Sequence, residues 1–273
     1  MAFTNDYAAR LAFCVSTAQR AGEIIRSIRH EGVIQHRYKE GIELVSSADE
    51  ASHRFIQAEI ESHYPQDAIL SEEGDSPRNE KVLDRSVWIV DPIDGTVNFF
   101  HGQDCVAIAI AYAENGVVKV GAVHAPFRGE TFAAIKGEGA SCNDRRIKVS
   151  ETTRLRDALI GTGFPHDRND LTLLIRRLVS VLQSCQDVRR LGSPALDICF
   201  VADGRLDGFY EGSLAPWDVG AAALIAREAG AEWGHLNGVP EQAHSDLYGQ
   251  DVIVATPAIF DSLAGVLREA NLT

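Results

Sequence analysis

Trp88-Ile89-Val90-Asp91-Pro92-Ile93-Asp94-Gly95-Thr96 holds two aspartates three residues apart, directly behind an apolar run. The run Val87–Val90 predicts a buried strand. Pro92 has no N–H to continue a ladder, so the spacing predicts that the strand ends there and a loop begins. Gly95 permits a tight turn. Loops at strand ends are where a rigid scaffold usually presents reactive groups. Hard divalent cations take oxygen ligands, and carboxylates supply both oxygen and charge. Asp91 and Asp94 are therefore candidate ligands of neighbouring metals, with the backbone carbonyl between them also available. Alternatively the segment is an ordinary Asp-Gly turn with Asp91 solvated.

Two further acidic sites lie outward from this segment. Upstream, Ser71-Glu72-Glu73-Gly74 follows the short apolar run Ala68-Ile69-Leu70. One glutamate can enter a site while the other stays in water, or both can belong to a charged surface turn. Downstream, Trp217-Asp218 precedes the small-residue run Val219-Gly220-Ala221-Ala222-Ala223. Asp218 is placed to cap a helix start, to bind a metal, or to do both.

The rest of the chain divides by pattern. Apolar spacing predicts a helix over 7–29. A second helix over 47–64 opens with Ser47 and Glu50 in capping-box register. Val106–Tyr112, Val117–Val123 and Thr131–Ile135 read as strands, with Asn115-Gly116 as a hairpin turn. After residue 150 strands and helices alternate. Strands are expected at Ala158–Gly161, Asp187–Arg190 and Leu206–Tyr210, and helices at Leu171–Leu182, Ser193–Ala202 and Asp218–Ala229, the last stopped by Gly230. Nothing reads as a linker or repeat. We therefore expect a compact unit with an N-terminal α+β half, 1–150, carrying the metal-binding loops, and a C-terminal α/β half, 151–273, completing the site.

Composition narrows the function. The 273 residues carry a formal net charge of −13, which disfavours a nucleic-acid partner. Five widely spaced cysteines, with no Cys-x-x-Cys, disfavour a disulfide scaffold or zinc site and fit a cytoplasmic setting. No secretory signal is evident at the start, and no apolar run approaches the ~20 residues of a membrane span. Phosphate-loop, His-Glu-x-x-His and Gly-x-Ser-x-Gly patterns are missing, and Lys136–Ala140 is glycine-rich without dinucleotide spacing. His101 lies near the Asp cluster but has no second metal-ligand histidine beside it, which favours a surface or packing role.

Taken in order, Glu72-Glu73, Asp91-Pro92-Ile93-Asp94-Gly95-Thr96-Val97-Asn98-Phe99, and Trp217-Asp218 with Glu228-Ala229-Gly230 resemble the three hallmark motifs of the inositol monophosphatase family. The resemblance extends through Leu44–Asp49, Lys136–Asn143 and Leu191–Glu211, over nearly the whole chain. It implies an α/β/α/β/α layered sandwich of the inositol monophosphatase / fructose-1,6-bisphosphatase type, usually a homodimer, that depends on Mg²⁺ and is inhibited by lithium. Two or three ions are implied, with Mn²⁺ as a substitute. Carried over by position, Glu72, Asp91 and the Ile93 carbonyl hold one metal; Asp91, Asp94 and Asp218 hold a second; a third sits near Glu72. Gly95 and Thr96 would bind phosphate through backbone N–H groups at a helix start. Glu72 and Thr96, supported by Asp49, would activate the attacking water. Asp94, Asp218, Glu211 and the turn Gly192-Ser193-Pro194 would complete the substrate site.

Three positions depart from the family pattern. Val97 stands where a second threonine is frequent. Lys39 is the nearest counterpart of an upstream lysine but is offset by one residue. Pro194 replaces a common alanine and has no N–H to give a substrate hydroxyl, although proline also suits a helix start. The implied activity is hydrolysis of myo-inositol monophosphate or a related polyol phosphate. Histidinol phosphate, fructose 1,6-bisphosphate and 3′-phosphonucleotides are alternatives within the same chemistry. A regulatory, RNA-associated binding protein is the alternative of another class.

Overall fold

The computed structural model describes residues 4–32, 36–38, 44–74, 83–165 and 171–272. Its layering follows from β5 (Ala107–Glu114), which is apolar up to its last residue and buried on both faces. Ile108, Ile110 and Tyr112 enter one core with Trp88 and Val90 of β4 (Ser86–Asp94), Ala18 and Ile25 of α1 (Thr4–Glu31), and Ile56 and Ile60 of α2 (Ser47–His63). Ala107, Ala109, Ala111 and Ala113 enter a second core with α5 (Pro194–Ala202) and α6 (Pro216–Glu228). The period-2 alternation of a strand separates these sets.

The larger sheet has seven strands in sequence order, β3 (Ala68–Ser71) through β4, β5, β6 (Val117–Ala125), β7 (Glu130–Ile135), β8 (Gly139–Cys142) and β9 (Arg145–Arg146). Only β3–β4 is parallel. The smaller sheet runs β11 (Asp187–Arg189), β10 (Leu159–Thr162), β12 (Gly208–Ser213), β14 (Gln250–Ala255), β13 (Glu232–His235). Its inner residues Phe209, Val252 and Val254 join the α5/α6 core. Its outer residues Ile160, Tyr210 and Ile253 pack with α7 (Pro257–Leu272) and α4 (Thr172–Ser184). The order of layers is thus α1/α2, seven-stranded sheet, α5/α6, five-stranded sheet, α4/α7, the expected sandwich. A short pair, β1 (His36–Tyr38) with β2 (Leu44–Ser46), lies outside both sheets.

Small residues set how close α6 lies. A Cβ on Gly121 of β6 would come 2.9 Å from the Ala221 Cα, and one on Gly220 would touch Ala111 and Ile89. This close approach of helix to sheet carries the first turn of α6 to the end of β4.

Several sequence expectations are corrected. Helix α2 is capped by Ser46 with Asp49 at the third helical position, one residue before the Ser47/Glu50 register. The last strand of the alternating series is Gly208–Ser213 rather than Leu206–Tyr210. Strands β8, β9, β13 and β14 and helix α7 were not foreseen. Lys39 lies outside the described residues.

Candidate active site

Strand β4 does not stop before Pro92. Asp91 pairs with Ala109 and Asp94 with Ala107, so three steps on β4 match two on β5. The extra residue makes a bulge at Pro92-Ile93, where a missing N–H forfeits no ladder bond. In an unbroken strand, residues three apart face opposite ways. The bulge turns Asp94 back to the side of Asp91 and sends Ile93 into the α1/α2 core with Trp88 and Val90. It is held from below: Ser52 Oγ donates to the Pro92 carbonyl at 2.8 Å, and Ile93 N–H donates to Asp91 Oδ1 at 3.0 Å.

Each carboxylate is then fixed by a different element. Asp94 Oδ2 accepts from Ser193 Oγ at 2.5 Å and from Ala195 N–H at 2.9 Å, so it caps the start of α5. Asp218 is the third residue of α6 rather than its cap, and its Oδ2 accepts from Ala215 N–H at 2.7 Å. Glu72 follows β3, whose parallel pairing with β4 continues as Glu72 N–H donates to the Val90 carbonyl at 3.2 Å. One oxygen each from Asp91, Asp94 and Asp218 lies within 4.8 Å of the others. Asp91 also shares a side-chain hydrogen bond with Glu72.

The electrostatics record how crowded this is. Burial raises Asp91 well above the usual carboxylate range, and repulsion from Glu72, Asp94 and Asp218 adds to it. Asp94 is pushed up to about 7 by burial and by Asp218, against its hydrogen bonds from Ser193 and α5. Asp218 rises to about 6 by burial, opposed by the Ala215 N–H. Four acidic groups from three stretches that repel one another in a buried place suit a hard, doubly charged cation.

A second group forms beside them. Gly95, at φ +89°, caps α3 (Thr96–Phe100). Thr96 Oγ1 lies 3.0 Å from Asp49 Oδ1 and 3.2 Å from the Ile93 carbonyl. Asp49 is buried and its other oxygen accepts from Ser46 N–H and Oγ at 2.8 and 2.6 Å. Burial raises its pKa to about 6 despite these bonds. Thus the cap of α2 and the Thr96 hydroxyl are served by one carboxylate.

These groups open on a cleft of about 380 Å³ between the two sheets. Every candidate site residue lines it except Asp49 and Ser193, which stand behind and bond Thr96 and Asp94. Glu211, in the second half of β12, lines the far wall. It is only 6% exposed, its Oε2 has no hydrogen-bond partner among the described residues, and burial with repulsion from Asp218 lifts it to about 8. Its carboxylate rests against Gly163, where a Cβ would overlap it. Pro194 is the first residue of α5, so its missing N–H belongs to a position that needs no helical partner.

Some functional neighbours were not singled out from sequence. Asn98 Nδ2 donates to the Cys105 and Leu191 carbonyls, both at 2.7 Å, and so pins the loop after α3 to the turn before α5. Arg190, Phe164, Leu214 and Gln250 also line the cleft, as does Trp217 of the third motif. Asn98 and Trp217 stood inside the motifs, which was their only signal; Phe164, Arg190 and Leu214 lie in loops and Gln250 opens β14, so their convergence depends on the second sheet.

A five-layered sandwich with an acidic cleft between its sheets is the fold of inositol monophosphatases. The profile of the inositol monophosphatase family matches residues 6–272, and the chain belongs to that family. It is 35% identical to the Nus factor SuhB of Pasteurella multocida over 261 residues, covering 94% of this chain and 95% of that one. It is 36% identical to inositol monophosphatase 1 of Solanum lycopersicum over 263 residues, covering 94% of each. The solved structure of the extragenic suppressor protein suhB from Bartonella henselae superposes with a TM-score of 0.86 at 34% identity, covering 96% of this chain and 99% of that one.

Proposed function

We propose that the protein is a Mg²⁺-dependent phosphomonoesterase acting on myo-inositol monophosphate or a related polyol phosphate. The observation that carries this is the convergence of Glu72, Asp91, Asp94 and Asp218 at one end of a cleft that also holds Gly95, Thr96 and Glu211. Glu72, Asp91 and the Ile93 carbonyl would hold one ion and Asp91, Asp94 and Asp218 another, with Mn²⁺ able to replace Mg²⁺. When bound, such ions offset charge on the phosphoryl oxygens, acidify a water and stabilise the leaving alkoxide.

The chain's own residues do the positioning. Backbone N–H groups at Gly95 and Thr96 receive the phosphate at the start of α3. The Thr96 hydroxyl, held by Asp49, and the Glu72 carboxylate orient the attacking water and take its proton. Glu211 accepts from hydroxyls of the alcohol part, and Gly192 and Pro194 shape the wall beside it, with Ser193 supporting them from behind. The site draws on both halves of the chain, so neither half is proposed to act alone. The enzyme is further proposed to be a lithium-sensitive homodimer of the cytoplasm.

The test is phosphate release from inositol 1-phosphate, histidinol phosphate, fructose 1,6-bisphosphate and a 3′-phosphonucleotide, with Mg²⁺ or with EDTA. Mg²⁺-dependent release, lost on EDTA treatment and strongest for the polyol phosphate, supports the proposal. No release from any ester would turn attention to a second reading. Relatives carrying the name Nus factor SuhB make transcription-associated binding the competing role, which co-purification with RNA polymerase or RNA would reveal.

A further inference from the structure

Resting on the phosphatase reading, a second residue reads the alcohol end of the substrate. Among the described residues that line the cleft, Arg190 is the single cation, set against the carboxylates Glu72, Asp91, Asp94, Glu211 and Asp218. Arg190 follows β11, and Glu211 lies on β12, two strands away across β10. The guanidinium reaches over Gly192, where a Cβ would overlap it, and faces the Phe164 ring at 5.5 Å. It is exposed and makes no hydrogen bond or ion pair with any described residue.

Arg190 feels Glu211 without touching it. Its charge pulls against the upward push on the Glu211 carboxylate, yet the two form no ion pair. A donor-only guanidinium and the Glu211 carboxyl group therefore line one cleft without satisfying each other. A hydroxyl both donates and accepts, so it can give its proton to Glu211 and take a hydrogen bond from Arg190. Nearby, Pro194 cannot donate at all. We propose that Arg190 is a specificity-determining residue that donates to a hydroxyl of the polyol, with Glu211 accepting from the opposite side. The ligand class is a phosphate ester whose alcohol carries free hydroxyls near the ester oxygen.

The experiment compares, at saturating Mg²⁺, inositol 1-phosphate with p-nitrophenyl phosphate, which has no hydroxyl on its alcohol part, and adds fructose 1,6-bisphosphate as a third ester. Arg190→Met keeps the stem and removes the donors. A hydrogen bond to a charged group contributes about 1.5–3 kcal/mol, so KM for inositol 1-phosphate should rise about tenfold or more while kcat/KM for p-nitrophenyl phosphate stays within about twofold. Arg190→Lys, which keeps a charge and donors, should recover part of the loss. Equal loss on both esters, or none on either, would overturn the assignment. So would a loss confined to fructose 1,6-bisphosphate, which would make Arg190 a reader of a second phosphate. If the wild-type protein hydrolyses neither ester, the phosphatase reading fails first, and it does so visibly in the unmutated control.

Discussion

The Ser193 hydroxyl donates to the Asp94 carboxylate at 2.5 Å, joining the last residue of β4 to the residue that precedes α5. Asp94 therefore has a structural partner on one oxygen and acidic neighbours on the other side. Ser193→Ala removes one of two donors to Asp94 Oδ2 and leaves Ala195 N–H in place. We expect a stability loss of about 1–2 kcal/mol and a fall in turnover of about tenfold, read by denaturant unfolding and phosphate release. Unchanged turnover with lowered stability would make the Ser193 bond to Asp94 a support of the fold alone.

Asp91 separates function from stability. Its carboxylate is buried among three others that repel it. Asp91→Asn should abolish turnover while the metal-free protein melts at the same or a higher temperature, because a repelled charge is gone. Differential scanning calorimetry in EDTA checks this; a large drop in melting temperature would show that Asp91 mainly supports the fold.

The raised carboxyl pKa values set a pH dependence. A carboxyl whose folded value exceeds its unfolded value binds its proton more tightly in the folded state, so stability falls as pH rises between the two. From the ordinary 3.8, Asp218 is raised to about 6 and Asp94 to about 7. Their stabilising contribution is full below that ordinary value and is lost as pH rises through about 7. The metal-free protein should thus lose stability from pH 5 to pH 8, relative to an Asp94→Asn, Asp218→Asn variant. Mg²⁺ should flatten the profile by binding the ionised forms, and its affinity should increase over the same range. Melting temperatures across pH, with and without Mg²⁺, measure both.

Gly95 is required by its backbone. At φ +89° an L-side chain is strained, and a Cβ would sit 2.8 Å from the Cys105 carbonyl and 3.1 Å from the Gly192 carbonyl. Gly95→Ala should destabilise by about 2 kcal/mol or more and reduce turnover further than that loss explains, since α3 and the Thr96 N–H move with it. Wild-type turnover in this variant would remove Gly95 from the site.

Much of this was legible in the sequence, and what was missed has physical causes. The apolar runs of β4 and β5 and the small-residue start of α6 announce themselves through period and composition. The Asp91/Asp94 spacing marked the site, but not its geometry. A loop was inferred because proline breaks ladders, whereas the chain absorbs Pro92 in a bulge that places both aspartates on one face. The helix cap was assigned to Ser47 because Ser47/Glu50 and Ser46/Asp49 carry the same spacing; contact with Thr96 decides between them. In β13 and β14, Gly234 and the positive-φ Asp251 blur the alternation. Arg190 and Gly163 gave no signal, since their importance lies in what they face across the smaller sheet.

The whole account rests on acidic side chains from β3–β4 and α6 sharing divalent cations. The most direct measurement is an anomalous difference map from crystals grown with Mn²⁺. The account predicts peaks bounded by Asp91, Asp94 and Asp218 and by Glu72, Asp91 and the Ile93 carbonyl. A map with no peak among these oxygens, from crystals in which the side chains are ordered, would contradict it.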